Sequence, residues 1–317
     1  MTEQPAQPAQ PRIAAVVVTF NRLDLLQRLL ERLEGEPGLA EVLVVDNAST
    51  DGTGEWLSTL ADRDPGDEHP TVPVLGRTLV ENGGGARGFH DGLEWAVERG
   101  ADLVWLMDDD GLPDPGCLET LLGETDLDFW GPLVVDEAEP GRLVFPIRLP
   151  GGTKVVHRLA DVEAAARNGR IDGIVIPFNG VLVTRALVER IGLPRSEYFI
   201  WGDDHEYRLR AEKAGARIAT VVGAQVRHPA VGSLGTPMMF GRTTYNHSPS
   251  DLKHYCMARN NLLNLREYRG WPYALAFVGK TVWFYAFTRP SPHRIRLSLR
   301  AMTAALRGDF TGHRRYL

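Results

Sequence analysis

An unbroken apolar run from Ile13 to Thr19 turns polar at its end, which predicts a strand buried on both faces. From Leu23 to Leu33 apolar residues recur at helical spacing. Val42 to Val45 predicts a second buried strand, ending at Asp46 and Asn47. Ser49-Thr50-Asp51-Gly52 carries turn and cap chemistry and opens a helix through Trp56 and Leu60. Leu75 to Val80 predicts a third strand, running into Asn82-Gly83-Gly84-Gly85. Phe89 to Arg99 reads as a helix and Leu103 to Met107 as a fourth strand, closed by Asp108-Asp109-Asp110. Strand and helix alternate, so the first half predicts a doubly wound, mostly parallel α/β sheet.

Beyond Asp126 the pattern is less regular. Phe129 to Val135 and Leu143 to Arg148 predict strands, and Ala160 to Arg167 a helix. Val181 to Ile191 predicts a helix after Phe178-Asn179-Gly180. A helix opening with carboxylates is expected over Asp203 to Ala214, then a last strand from Arg217 to Val226 leading to His228-Pro229. Val231 to Asp251 is rich in Gly, Ser, Thr and Pro and predicts a mobile loop. From Leu252 onward the reading is helical. The expected organisation is a tail over 1–11 and a catalytic domain over 12–251. That domain has a nucleotide half (12–125) and an acceptor half (126–251), and a helical region (252–317) follows it.

Ligands in such sheets bind at the carboxyl ends of the strands. The polar clusters Thr19 to Arg22, Asp46-Asn47, Asn82 to Arg87 and Asp108 to Asp110 each follow a predicted strand. Four such coincidences on one edge point to a ligand site.

Composition narrows the classes. The 317 residues are 43% hydrophobic and 24% charged, as in an ordinary globular protein. A formal net charge of -6 argues against a nucleic-acid partner. Cys117 and Cys256 have no metal-type spacing and fit a reducing compartment as packed small hydrophobes. Met1 to Pro11 lacks a basic start and an apolar run, so it predicts a disordered tail rather than a signal peptide. The C-terminus is basic: Lys280, Arg289, Arg294, Arg296, Arg300, Arg307, Arg314 and Arg315 stand against Asp309 alone, which predicts an anionic neighbour.

Three carboxylates at a strand end repel each other unless a cation or hydrogen bonds offset them. Hard divalent ions take such oxygens and commonly keep diphosphate oxygens in their shell. Positions i and i+2 of an extended stretch point the same way, so Asp108 and Asp110 suit one ion, leaving Asp109 another contact. The plainer alternative is a solvated acidic turn. The glycines of Asn82 to Gly88 permit close backbone approach to a ligand, with Arg87 available to phosphate or sugar. Trp201-Gly202-Asp203-Asp204-His205-Glu206 joins an aromatic platform to carboxylates at a helix start. These carboxylates suit a general base, or simply the helix dipole. His228, after the last strand, suits a third metal ligand.

Val16 to Arg22, Val44 to Gly52, Asn82 to Gly85 and Asp108 to Asp110 together resemble glycosyltransferase family 2 over nearly the whole chain. The resemblance implies a GT-A fold, a nucleotide-diphosphate sugar donor and inversion at the anomeric carbon. Phe145-Pro146, Phe178-Asn179-Gly180, Phe199 to Glu206, Arg227-His228-Pro229 and Met257 to Asn261 resemble actinobacterial galactofuranosyltransferases of the galactan-initiating type. That implies UDP-galactofuranose and a polyprenyl-diphosphate-linked glycan acceptor, with dTDP-rhamnose as the rival donor. Under the family pattern, Thr19, Phe20, Asn21, Arg22 and Asp46 hold the uridine, and Asn82 and Arg87 sit near ribose, diphosphate or sugar. Asp108, Asp110 and His228 hold Mn2+ or Mg2+, with Asp109 beside the donor. Asp204 is the implied base, Asp203 or Glu206 its alternatives, and Trp201 and Glu206 face the acceptor.

Trp271 to Thr288 is apolar and aromatic but broken by Pro272 and Lys280. A span needs about 20 mostly apolar residues, so an interfacial segment is expected, drawn by the basic tail to anionic lipid. The expected location is cytoplasmic, peripheral on the inner face of the membrane. The rival classes are a nucleotidyltransferase and a non-catalytic sugar- or nucleotide-binding protein.

Overall fold

A computed structural model describes residues 10–61, 72–152, 154–231 and 235–317. Apart from Gln10 and Pro11, the expected N-terminal tail lies outside them. Strand β1 (Ile13–Thr19) is buried along its whole length. Its alternate residues serve two cores: Ile13, Ala15 and Val17 on one face, Ala14, Val16 and Val18 on the other. Helix α1 (Leu23–Leu33) buries Leu26, Leu29, Leu30 and Leu33 in the first core. Strand β2 (Leu39–Asp46), helix α2 (Thr53–Ala61) and strand β3 (Val74–Thr78) follow. Helix α3 (Gly84–Glu98) covers the second face, and β4 (Leu103–Asp108) completes the first half. β1 pairs in parallel with β2 and β4, and β2 with β3, so the expected winding is present.

Helix α3 begins five residues before the expected Phe89, because its glycines are helical. A Cβ on Gly88 would stand 2.4 Å from Val18, and one on Gly92 2.4 Å from Val16. These glycines let the helix lie directly on β1.

The second half adds β5 (Leu112–Pro113), α4 (Cys117–Leu122), β6 (Phe129–Asp136), β7 (Arg142–Arg148) and β8 (Val155–Arg158). Then come α5 (Leu159–Ala165), β9 (Arg170–Asp172), β10 (Asn179–Thr184), α6 (Arg185–Ile191), α7 (Asp203–Lys213) and β11 (Ile218–His228). The helix expected over 181–191 is therefore a strand and a helix. Val181, Leu182 and Val183 are fully buried where β10 runs antiparallel between β4 and β6. Thr184 then caps α6 by accepting the Leu187 N–H at 3.1 Å. The main sheet has the order β3-β2-β1-β4-β10-β6-β11-β5 among the described residues.

The segment expected as a loop over 231–251 holds a small hairpin, β12 (Thr236–Met238) with β13 (Thr243–Tyr245). Residues 232–234 lie outside the described residues. Helices α8 (Asp251–Tyr268), α9 (Trp271–Trp283) and α10 (Pro292–Arg307) end the chain. They share a core with Ala86, Tyr198 and Phe199, so the expected boundary at 252 falls inside a packed unit. Cys117 and Cys256 are buried free thiols.

No helix among the described residues is long and apolar enough to cross a membrane. α9 nevertheless turns an apolar face outward. Positions 272, 275, 276, 279, 282, 283, 286 and 287 are all exposed, at the spacing of one helical face, and none is charged. Leu275 is 62% and Phe287 68% exposed.

Candidate active site

The strand ends converge as the sequence predicts. Thr19 pairs with Asp46 across β1 and β2, and Val18 with Asp108 across β1 and β4. The Thr19 hydroxyl donates to Asp109 Oδ2 at 2.7 Å. Arg22 Nη1 donates to Asp109 Oδ1 at 2.9 Å and to Asp110 Oδ2 at 2.7 Å. Asp109 is thus held inward by protein groups, while Arg22 spans it and Asp110. Asn21, at φ 53°, accepts the Thr50 N–H at 2.7 Å, and its own N–H donates to Ser49 Oγ at 2.8 Å. Those bonds tie the turn after β1 to the turn after β2. Phe20 is 41% exposed beside them.

Asp46 is fully buried. Its Oδ1 accepts the Ser49 N–H at 3.0 Å, but its Oδ2 has no hydrogen-bond partner. A buried carboxylate oxygen without a donor is costly, so this atom suits a ligand N–H or O–H. Asn82 Oδ1 accepts the Gly84 N–H at 2.8 Å and shapes the start of α3. Arg87 is exposed and paired with Asp91 one turn on, at 2.6 Å. Of the glycines read as ligand-facing, Gly84 and Gly88 instead meet the protein itself. A Cβ on Gly84 would stand 2.0 Å from the Phe199 carbonyl oxygen, whereas Gly85 faces open space.

Asp110 and His228 meet because β5 pairs antiparallel with the end of β11, setting Leu112 opposite Arg227. His228 Nε2 lies 3.1 Å from Asp110 Oδ1, yet Asp110 Oδ1 has no aligned hydrogen bond. His228 Nδ1 lies 2.7 Å from the Pro229 carbonyl, which fixes it as donor there. In the neutral ring, Nε2 then presents a lone pair to a carboxylate oxygen, a donor set suited to a divalent cation between them. Asp110 also holds the His228 pKa up and is itself held down by that imidazole, each against the opposing effect of burial.

Asp108 does not close on this pair as a third ligand. Among the described residues, the one trio with all ligand atoms within 4.8 Å of one another is His90, Asp91 and Glu94. That trio is engaged elsewhere, His90 with the Pro194 carbonyl and Asp91 with Arg87. Burial raises Asp108 well above the usual carboxylate range, and the charges of Asp110, Asp109 and Asp203 add to it.

The charge of Asp203 reaches Asp108, so the second carboxylate cluster lies near the first. Asp203 and Asp204 open α7 after a backbone segment with positive φ at Phe199, Trp201 and Gly202. Burial raises both their pKa values, and the charge of Asp204 further raises Asp203. Asp203 is buried. Asp204 is half-buried, takes the His205 N–H at 2.6 Å and feels the cation of Arg208. Trp201 is partly buried and packs against the cluster of Met238, Tyr245, Met257, Phe284 and Tyr285.

Glu206, expected at the acceptor, is fully buried. It is bonded by Arg210 at 3.0 Å and by the Tyr268 hydroxyl, with Arg195 at 3.4 Å. These partners leave it no face toward a substrate, and it anchors α7 to α8 instead.

The residues that shape this bank come from α8. The Asn260 amide donates to the carbonyls of Tyr198, Ile200 and Trp201, at 3.1, 3.2 and 2.6 Å. Arg259 donates to the Tyr198 carbonyl at 2.7 Å and Asn264 to the Gly202 carbonyl at 2.8 Å. A left-handed residue that is not glycine costs about 1–3 kcal/mol, and these bonds hold two of them in place. The sequence offered one signal: Arg259, Asn260 and Asn264 interrupt a helix whose neighbours Leu262 and Leu263 are core residues.

Comparisons with known proteins agree with this geometry. The model of glycosyl transferase family 2 matches residues 14–129. The galactofuranosyltransferase GlfT1 of Mycobacterium tuberculosis is 31% identical over 293 residues, covering 88% of this chain and 90% of that protein. The undecaprenyl-phosphate mannosyltransferase of Micrococcus luteus is 40% identical over 111 residues, 35% of this chain and 43% of that one. Among solved structures, the mannosyltransferase PcManGT of Pyrobaculum calidifontis, in complex with GDP-Man and Mn2+, superposes with TM-score 0.51 at 18% identity. The match covers 96% of this chain and 79% of that one. GalNAc-T7 with UDP, GalNAc and Mn2+ superposes with TM-score 0.56 at 13% identity, over 94% of this chain and 55% of that one.

The fold is therefore GT-A, and the protein is a glycosyltransferase. The chain belongs to glycosyltransferase family 2.

Proposed function

We propose that the protein transfers galactofuranose from UDP-galactofuranose to a polyprenyl-diphosphate-linked glycan, with inversion and with Mn2+ or Mg2+. The observation that carries this reading is the 31% identity to GlfT1 over 88% of this chain and 90% of that protein. In the family as a whole the donor varies, so the sugar rests on that relative.

On this reading Thr19, Phe20, Asn21, Arg22 and Asp46 receive the uridine. The unpartnered Asp46 Oδ2 accepts a uridine donor group. Asn82 and Arg87 border the donor, and Asp108 and Asp109 lie beside its diphosphate. Asp110 and His228 hold the cation; Asp108, which does not close on that pair, leaves the remaining positions to oxygens of the donor. When bound, the cation offsets charge on the departing diphosphate. Asp204 takes the proton from the acceptor hydroxyl, which attacks the anomeric carbon opposite the diphosphate. Its half-buried position leaves it reachable, and its raised pKa suits proton capture. Asp203, whose charge reaches Asp108, orients the donor side of the same cleft. Trp201 offers its ring to an acceptor sugar.

Residues 12–251 carry the chemistry in this account, with 252–317 bracing it and meeting the membrane. The apolar outer face of α9 and the basic residues of α10 suit a peripheral position on anionic lipid at the cytoplasmic face. The deciding experiment is a donor panel, including UDP-galactofuranose and dTDP-rhamnose, read by nucleotide-diphosphate release with a lipid-linked acceptor. Release from UDP-galactofuranose alone supports the reading; release from dTDP-rhamnose alone overturns it.

A further inference from the structure

A cavity of about 230 Å³ opens between β13, α8 and α9, outside the carboxylate cleft. Its polar lining is Thr244, Asn246, Asn261 and Lys280, with Tyr245 and Phe277 as aromatic walls. Among the described residues, none of those four polar side chains makes a hydrogen bond or an ion pair. That is unusual for a half-buried ammonium, which ordinarily finds a carboxylate. Burial, and after it the charge of Arg148 at the end of β7, push the Lys280 pKa down. An ammonium, two amides and a hydroxyl lining one cavity make a donor-rich pocket that suits an anion with several oxygens.

Two further features say what carries that anion. Lys280 is half-buried on the flank of α9 that lines the pocket, while the outer side of the helix is the uncharged apolar stripe through Leu275, Val282 and Trp283, continued past its end by Phe287. An anion in the pocket therefore lies beside a surface suited to hydrocarbon. The pocket shares a cluster with the segment that precedes the second carboxylate pair: Tyr245 and Met257 line it and belong to the buried cluster against which Trp201, two residues before Asp203, packs. Asn261, which lines the pocket, follows Asn260, which holds the Trp201 carbonyl.

We infer that this pocket binds the diphosphate of a prenyl-diphosphate-linked acceptor, with the prenyl chain leaving along α9 and the glycan reaching toward Asp204. The inference rests on the proposed lipid-linked acceptor and adds the place where its diphosphate is held. No bond is made or broken there; Lys280, Asn246, Asn261 and Thr244 act by binding.

The test titrates farnesyl diphosphate, farnesol and inorganic pyrophosphate into the full-length protein saturated with UDP and Mn2+, so that the donor site is filled. Farnesyl diphosphate should bind saturably, at least 10-fold tighter than farnesol or pyrophosphate. Lys280→Met should weaken it at least 10-fold and Lys280→Arg should restore it, while UDP affinity stays the same and reports an intact fold. Equal binding in Lys280→Met overturns the inference, as does pyrophosphate binding as tightly as farnesyl diphosphate. Lys280-dependent binding to phosphatidylglycerol vesicles without binding of farnesyl diphosphate assigns the pocket to bilayer headgroups and also overturns it. Nucleotide release from UDP-galactofuranose onto a soluble glycan separates the two readings. Its absence alongside Lys280-dependent binding removes the donor assignment and leaves the pocket; its presence alongside Lys280-independent binding removes the pocket alone.

Discussion

On the proposed donor bank of the cleft, Thr19, Asp46 and Asp108 to Asp110 sit at or just beyond the ends of parallel strands, positioned by sheet register and by one another. On the opposite bank, Asp203 and Asp204 follow a segment with left-handed residues at Phe199 and Trp201, which no regular element supports. That bank is held from outside, by amide and guanidinium donors on α8. The first bank is rigid because it continues the core. The second is positioned by a few hydrogen bonds and by the contact of Gly84 with Phe199, so it is the bank that substitutions far from the chemistry can displace.

The comparison is broken most severely by removing reacting groups. Asp110→Asn should lower kcat/KM by about 100-fold or more, because the ion's charge stabilisation amounts to several kcal/mol. Excess Mn2+ should recover part of the loss, and the response to added metal is the check. Asp204→Asn should cost about 100-fold or more in turnover with UDP affinity unchanged. Near-normal turnover there would transfer the base role to another group.

Next come the braces. Asn260→Ala strips the Ile200 and Trp201 carbonyls of their amide donor, while Arg259 still serves Tyr198, and should cost about 2–4 kcal/mol of stability, read by denaturant unfolding. It should also lower kcat more than it changes UDP binding, since it loosens only the acceptor bank. Gly84→Ala, with φ +77° and Phe199 in the way, should act in the same direction. If either variant weakened UDP binding as much as turnover, the two banks would not be separately supported.

A smaller effect concerns pH. Burial raises Asp204, so activity should rise as pH increases through its elevated pKa, where the base becomes ionised. Replacing Asp203 with Asn removes a neighbouring negative charge, which makes Asp204 easier to ionise and should move that acid limb to lower pH. A limb that moves up, measured on kcat against pH, would contradict the shared cleft. The smallest effect on catalysis in solution is expected from Phe287→Ser with Trp283→Ser, which should reduce flotation with anionic liposomes while leaving donor affinity unchanged.

Much of the donor bank was legible because its physics is local. Ile13 to Thr19 is apolar on both faces, and a polar cluster at its end can only mark the strand's edge. Asp108 to Asp110 announced itself by charge density. Val181 to Val183 was misread because a short apolar run that continues into a helical pattern fits both periods; only its neighbours β4 and β6 decide it. The glycines from Gly83 to Gly88 read as ligand-facing, yet Gly84 and Gly88 touch Phe199 and Val18, contacts across the chain that composition cannot reveal. Glu206 looked like its neighbours Asp203 and Asp204, and its partners Arg195 and Tyr268 lie too far along the chain to be foreseen. The role of Asn260 was hidden for the same reason.

The most direct measurement of the central claim is transfer from UDP-galactofuranose to a synthetic polyprenyl-diphosphate-linked glycan, with the new linkage analysed by NMR. The account predicts UDP release, a galactofuranosyl product of anomeric configuration opposite to the donor's, and loss of transfer in EDTA. A product with retained configuration, or full transfer in EDTA, would contradict it.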